Sequence, residues 1–189
     1  EPQKFRLGPA VAHLSHVWTS SLDLNEMAKP MLRRLWEKTG ETVALFIPQG
    51  AYRSCISELP CTQPLSFKRG VGYRERIVLG ASGRAILAYL DITPELLKEY
   101  AAGTKLDLKK YAEDLQSTRE RGYAISNQEI IQGAVSIAAP FFNSGGQVAG
   151  SVGIFGPSAR LDASQVKEYG ELLIVETKLL SEALGLRGK

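Results

Sequence analysis

Apolar positions along the chain follow two rhythms, one repeating about every 3.6 residues and one every second residue. Leu24, Met27, Ala28, Met31, Leu32, Leu35 and Trp36 keep the helical rhythm. Asp23, with Glu26 three positions on, makes a capping box at its start, and Gly40 is its stop. Pro30 falls inside and predicts a kink or a break. The run Val43-Ala44-Leu45-Phe46-Ile47, the turn Pro48-Gln49-Gly50 and the segment from Ala51 to Leu59 read as a hairpin. A loop bearing Pro60, Pro64, Gly70 and Gly72 follows, and then a small-residue turn opens onto an apolar helix between Leu79 and Leu90. Thr93-Pro94 starts another helix, and an amphipathic one runs from Asp107 to Arg121, closed by Gly122.

The last third returns to strands. Tyr123 to Ile125 is short, and residues 127–133 connect it to a second hairpin, Ala134 to Phe142 and Gln147 to Phe155. Asp162 then caps a final helix ending at Gly185. Hairpins rather than crossover units predict an α+β fold, an antiparallel sheet flanked by helices. Residues 1–20, with Phe5-Arg6-Leu7-Gly8-Pro9, read as a connector running into a helical stripe, and 21–189 as the folded domain.

Composition narrows this picture only slightly. With 189 residues, 44% hydrophobic and 23% charged, the chain has the size of one ordinary domain. It contains no apolar run long enough to cross a membrane, and its first residues have no signal core, so membrane and secretory roles are not expected. Cys55 and Cys61 read as reduced thiols of a cytoplasmic protein. The net charge of +3 is uneven: residues 1–90 carry 12 Lys/Arg and 7 Asp/Glu (+5), residues 91–189 carry 11 and 13 (−2). The basic residues of the first half are scattered, which argues for a solvated face rather than a nucleic-acid surface.

The second hairpin carries the most information. With a four-residue loop, Phe142 faces Gln147, Ala134 faces Phe155, Ser136 faces Gly153, Ala138 faces Ser151 and Pro140 faces Ala149. These share one side of the sheet, while Val135, Ile137, Phe141, Val148, Val152 and Ile154 share the other. One face is a packed core; the other is small, with a hydroxyl and an aromatic wall. Either a closely packed helix or a small ligand fills that space. The turn Gly80-Ala81-Ser82-Gly83 offers a helix start near Ser82, which suits an anion or simply a Ser82 cap.

Catalytic patterns are missing. The second glycine of Gly80-Ala81-Ser82-Gly83 comes one residue early for a nucleophile elbow. His13 and His16 have no nearby Cys or acid to complete a metal site, and no dinucleotide or phosphate-binding glycine motif occurs. No cofactor is expected. A binding module is, and the alternative is a thiol redox enzyme using Cys55 or Cys61, such as a methionine sulfoxide reductase.

Gly80-Ala81-Ser82-Gly83-Arg84-Ala85-Ile86-Leu87-Ala88, then Arg119 to Ala124, then Val135-Ser136-Ile137-Ala138-Ala139-Pro140 with Gly156-Pro157, resemble the effector-binding C-terminal domain of IclR-family transcriptional regulators. The segment Phe5-Arg6-Leu7-Gly8 resembles that family's link to an N-terminal winged helix-turn-helix. The resemblance implies a GAF-like fold, a cytoplasmic bacterial regulator, repressor or activator, that forms a homodimer or tetramer, and promoter DNA bound through the N-terminal domain. It also implies a small-molecule effector, often an organic or aromatic carboxylate. The positions matching the family's effector site are Ala81, Ser82, Ser126, Ser136, Gly153 and Phe155. Glu129 stands beside them, and Cys55 and Tyr52 are further candidates. Family members that bind very small oxo-acids carry an acidic group near the Ser126 position and hydroxyls where Gly153 and Phe155 stand. The substitution here implies a less polar pocket and a larger acid.

Overall fold

The computed structural model describes residues 24–186. Helix α1 (Leu24–Thr39) leads into strands β1 (Thr42–Gln49), β2 (Tyr52–Leu59) and β3 (Arg74–Arg76). Helices α2 (Gly80–Leu87), α3 (Pro94–Ala101) and α4 (Leu108–Arg121) follow. Strands β4 (Ala124–Asn127), β5 (Ala134–Phe142) and β6 (Val148–Pro157) precede the closing helix α5 (Ala163–Ala183). All strand pairs are antiparallel, in the order β3-β2-β1-β6-β5-β4, so the fold is α+β. The two hairpins meet at β1 and β6. Strand β3 pairs with β2 within what the sequence presents as a loop, because Arg-Glu-Arg carries no apolar alternation. The capping box at Asp23 and the connector at 1–20 lie outside the described residues.

The two sheet faces are covered differently. Val43 and Leu45 of β1, Ile137, Ala139 and Phe141 of β5, and Val152 and Ile154 of β6 form the main core beneath α1 and α5. Helix α1 contributes Ala28, Met31, Leu32 and Leu35, the stripe its periodicity predicts. The two helices are tied by Arg34, whose Nη2 lies 2.6 Å from Glu176 Oε2. Of the kink or break expected at Pro30, the break does not occur: α1 runs through it from Leu24 to Thr39. Pro30 stands on the exposed side, where the unpaired Glu26 carbonyl can turn to water.

The opposite face carries α2, α3 and α4, joined by a second apolar cluster that includes Ile86, Leu87, Leu97, Tyr111 and Leu115. Thr93 and Asp107 cap α3 and α4 through their side chains, and Gly122 ends α4 with φ 86°, all as the sequence indicates. Helix α2 differs. Leu79 occupies its cap position, no side chain caps it, and all eight of its residues are buried.

The β5–β6 register departs from the expected one by two residues. Ala134 faces Pro157, Ser136 faces Phe155 and Ala138 faces Gly153. Five residues rather than four separate the paired Phe142 and Val148, with Asn143 N–H donating to the Gln147 carbonyl at 2.9 Å inside that span, and a bulge near Phe141/Phe142 adds one more step. Two one-residue changes restore the parity of the pleat. Ser136, Ala138, Gly153 and Phe155 therefore remain on one face.

Candidate functional site

The small face of the hairpin is shared between a helix and a cavity. Ala81 and Ala85 of α2 press onto Ala124 of β4 and Ala138 of β5, a contact that only side chains this small permit. Beside that contact the sheet is uncovered, and a pocket opens over Ser126, Ser136, Gly153 and Phe155. Phe46 and Phe67 complete the aromatic walls, and Ile130 and Ile131 close the side formed by the β4–β5 connection.

Six of the nine sequence candidates line this pocket: Ser82, Ser126, Glu129, Ser136, Gly153 and Phe155. Three do not. Ala81 is committed to the alanine contact with β4 and β5. Cys55 is 1% exposed and packs with Ala44, Phe46 and Phe155 behind the aromatic wall. Tyr52, at the start of β2, is 40% exposed, and its ring lies 4.8 Å from the Arg74 guanidinium carbon. Alternation explains that split, because Tyr52 and Ser54 point away from the side that Arg53 and Cys55 share.

Arg53 is the pocket residue that sequence reasoning missed. It is 3% exposed, and its guanidinium lies against the first turn of α2. Nε donates to Ser82 Oγ at 2.6 Å and Nη1 to the Arg76 carbonyl at 2.7 Å. The Phe46 ring centre is 5.7 Å from its Cζ. A lone arginine on a strand ordinarily marks the solvent side. The signal that would have found it is its spacing of two from the apolar, buried Cys55. Burial lowers the Arg53 pKa to about 10, with the opposing pull of Glu75 and Tyr73 too small to prevent it.

The glycines of the α2 turn serve this arginine. A Cβ on Gly80 would stand 3.3 Å from Arg53 Nη2 and 2.8 Å from Ile130 Cδ1. A Cβ on Gly83 would overlap the Ile77 carbonyl and approach Arg53 Nη1. Ser82, expected as a possible cap, instead accepts from Arg53, which leaves its own hydroxyl proton free to be donated. Its carbonyl is held by Ser151 Oγ at 2.9 Å, which pins the turn to β6.

Glu129 faces the same turn from the β4–β5 connection. Its Oε2 accepts from Gly80 N–H at 3.3 Å, and both oxygens accept from Arg84 Nη2 at 2.9 and 3.0 Å. Arg84 also donates to the Ile125 carbonyl and stands over the Tyr111 ring at 5.6 Å. The Glu129 charge is thus matched by Arg84. Ser126 and Ser136, opposite one another on β4 and β5, present hydroxyls to the cavity that have no hydrogen-bond partner among the described residues. The site offers hydroxyls, an apolar body and positive potential at a helix start. It presents no nucleophile activated by a base.

Neither cysteine fits redox chemistry. Burial pushes the Cys55 thiol up to about 12, with Glu58 adding in the same direction, so no thiolate forms near neutrality. Cys61 is 3% exposed.

The family description "Bacterial transcriptional regulator IclR C-terminal" matches residues 16–181. The HTH-type transcriptional repressor AllR of Escherichia coli (strain K12) is 28% identical over 97% of this chain and 70% of its own length. The HTH-type transcriptional regulator BhcR of Paracoccus denitrificans is 29% identical over 99% of this chain and 70% of its own. Among solved structures, the repressor BlcR of Agobacterium tumefaciens superposes with a TM-score of 0.82 at 25% identity, covering 97% of this chain and 75% of that one. None of these comparisons supports a redox enzyme.

Proposed function

Because the chain belongs to the IclR family of bacterial transcriptional regulators and spans their effector-binding C-terminal domain, we propose that the pocket beside α2 binds a small organic acid. The observation that carries this reading is the division of the small face, where α2 covers Ala124 and Ala138 but leaves Ser126, Ser136 and Phe155 over a cavity. The carboxylate lies against the first turn of α2, where backbone N–H groups and the helix dipole favour negative charge. Ser136 and Ser126 hydrogen-bond its oxygens or a hydroxyl on its body. Phe46, Phe67 and Phe155 enclose an aromatic or branched aliphatic body. Occupancy controls the binding of promoter DNA by an N-terminal winged helix-turn-helix in a cytoplasmic homodimer or tetramer.

Thermal unfolding against a panel of aliphatic and aromatic acids tests this. A ligand present at 100 times its Kd adds roughly 2.7 kcal/mol to stability, enough to raise the midpoint by several degrees. Ser136→Leu fills the cavity from β5 and should abolish the rise. A rise that persists in Ser136→Leu, or a panel in which neutral compounds stabilise and acids do not, overturns the reading.

A further inference from the structure

The strongest unexplained feature of the molecule is a charge without a counterion. The described residues contain five ion pairs, and Arg53 is in none of them, although it is 3% exposed. Two of its N–H groups are used, by Ser82 Oγ and the Arg76 carbonyl, and the remaining three have no acceptor among the described residues. Nη2 lies at Gly80, on the cavity side of the turn. The acids nearby are taken. Glu129 is held by Arg84, and Glu75 accepts from the Tyr73 hydroxyl at 2.6 Å and from Arg76 N–H at 2.9 Å. Arg69, the other arginine lining the cavity, donates to Tyr73 Oη at 3.2 Å and stacks on its ring.

The position makes this worse for the cation. A helix N-terminus carries partial positive charge, so a guanidinium laid across it stands at the unfavourable end. A charge on a residue only 3% exposed, with no carboxylate paired to it, is costly. Two sources of positive potential, the guanidinium and the α2 start, converge on the same corner of the pocket. Glu129 touches the α2 start at Gly80 N–H but is itself paired with Arg84, and no carboxylate among the described residues pairs with the Arg53 guanidinium.

We propose that Arg53 is the anion-binding residue of the pocket, taking one carboxylate of the effector between its Nη2 edge, the Ser82 hydroxyl and the first-turn N–H groups of α2. This rests on the reading of the pocket as an organic-acid site and sharpens it. The ligand must be an anion, because a neutral analogue of the same shape leaves the guanidinium unpaired. Ser82 is the positioning residue: by accepting from Nε it fixes the guanidinium plane and points its own proton towards the ligand. The lowered pKa agrees with a cation awaiting a partner, and an adjacent carboxylate reverses that shift.

The Nε–H cross-peak of Arg53 reports on this directly. It is assigned in 15N-labelled protein by its loss in Arg53→Lys, and it is followed during titration with formate, benzoate, formamide and benzamide. Formate is small enough to reach the guanidinium whatever the shape of the natural effector. Both carboxylates should move the cross-peak saturably and neither amide should. Benzoate affinity, measured by calorimetry, should fall roughly tenfold or more in Arg53→Met, the loss expected for a hydrogen bond to a charged group. Arg53→Lys, which keeps the charge and loses the fork, should retain part of it. A cross-peak unmoved by either carboxylate, or moved equally by the amides, overturns the proposal. If acids stabilise the wild type and Arg53→Met equally, the assignment to Arg53 fails while the organic-acid site stands. If the only compounds that bind are neutral, both fail.

Discussion

Gly83 and Gly153 both stand in small-residue stretches next to the pocket, yet they answer to different neighbours. An added Cβ at Gly83 runs into the Ile77 carbonyl, part of the backbone, which cannot move without displacing the start of α2. At Gly153 the nearest atoms are the Ile137 carbonyl oxygen at 3.5 Å, Ala138 Cβ at 3.7 Å and Phe46 Cε2 at 3.8 Å, ordinary contact distances. Gly83→Ala should therefore cost roughly 2 kcal/mol or more in chemical denaturation, beyond any gain in helix propensity. Gly153→Ala should leave the denaturation midpoint nearly unchanged while raising the floor of the cavity by a methyl group and weakening acid binding. Denaturation and calorimetry on the two variants separate a glycine that holds the fold from one that shapes the pocket.

At the scale of elements, α1 carries a proline that the rest of its sequence overrides. Pro30 removes one backbone hydrogen bond, but Met31, Leu32 and Leu35 are bound into the core on the opposite side, and their burial outweighs the loss. Pro30→Ala should stabilise the domain by about 1 to 3 kcal/mol, read as a higher unfolding midpoint. The same balance explains what was legible in the sequence. The helices with a strong apolar stripe and a capping residue, α3, α4 and α5, could be read directly, as could both hairpins, because periodicity and turn chemistry are local properties. Strand β3 could not, since Arg74-Glu75-Arg76, paired with β2, shows no apolar alternation. Pattern reasoning found Ser136, Gly153 and Phe155 because alternation along β5 and β6 sorts side chains by face. It missed Arg53 because no local rule says that a strand arginine points inward; only α2, folded over it, creates that environment.

Across the whole molecule, the buried acids of neutral type set the response to pH. Burial raises the Cys55 thiol to about 12 and shifts the phenols of Tyr73, Tyr89, Tyr111 and Tyr169 upward as well. In the unfolded chain these groups lose their protons earlier, near 8.5 for a thiol and about 10 for a phenol. Their contribution to stability is complete below those values and is lost as pH climbs towards the folded ones. Arg53 runs the other way: its lowered pKa favours the fold as pH passes about 10, but one such group is outnumbered. The unfolding midpoint should hold steady through neutral pH and fall steeply above about pH 9. Native Cys55 should resist iodoacetamide at pH 8.5, as scored by mass spectrometry, and react once the chain is unfolded. A midpoint that rises between pH 9 and 11 would reverse this assignment.

The extra turn residue and the bulge in the β5–β6 hairpin cancel one another, and that has a consequence for descent. A lone insertion in residues 143–147 would exchange the two faces of the strand and send Ser136 into the hydrocarbon core. Paired changes leave the binding wall untouched, about 20 Å away along the strand. Lineages can therefore lengthen or trim this hairpin tip in even steps without altering what the pocket senses, so drift at the tip and selection on the ligand proceed independently.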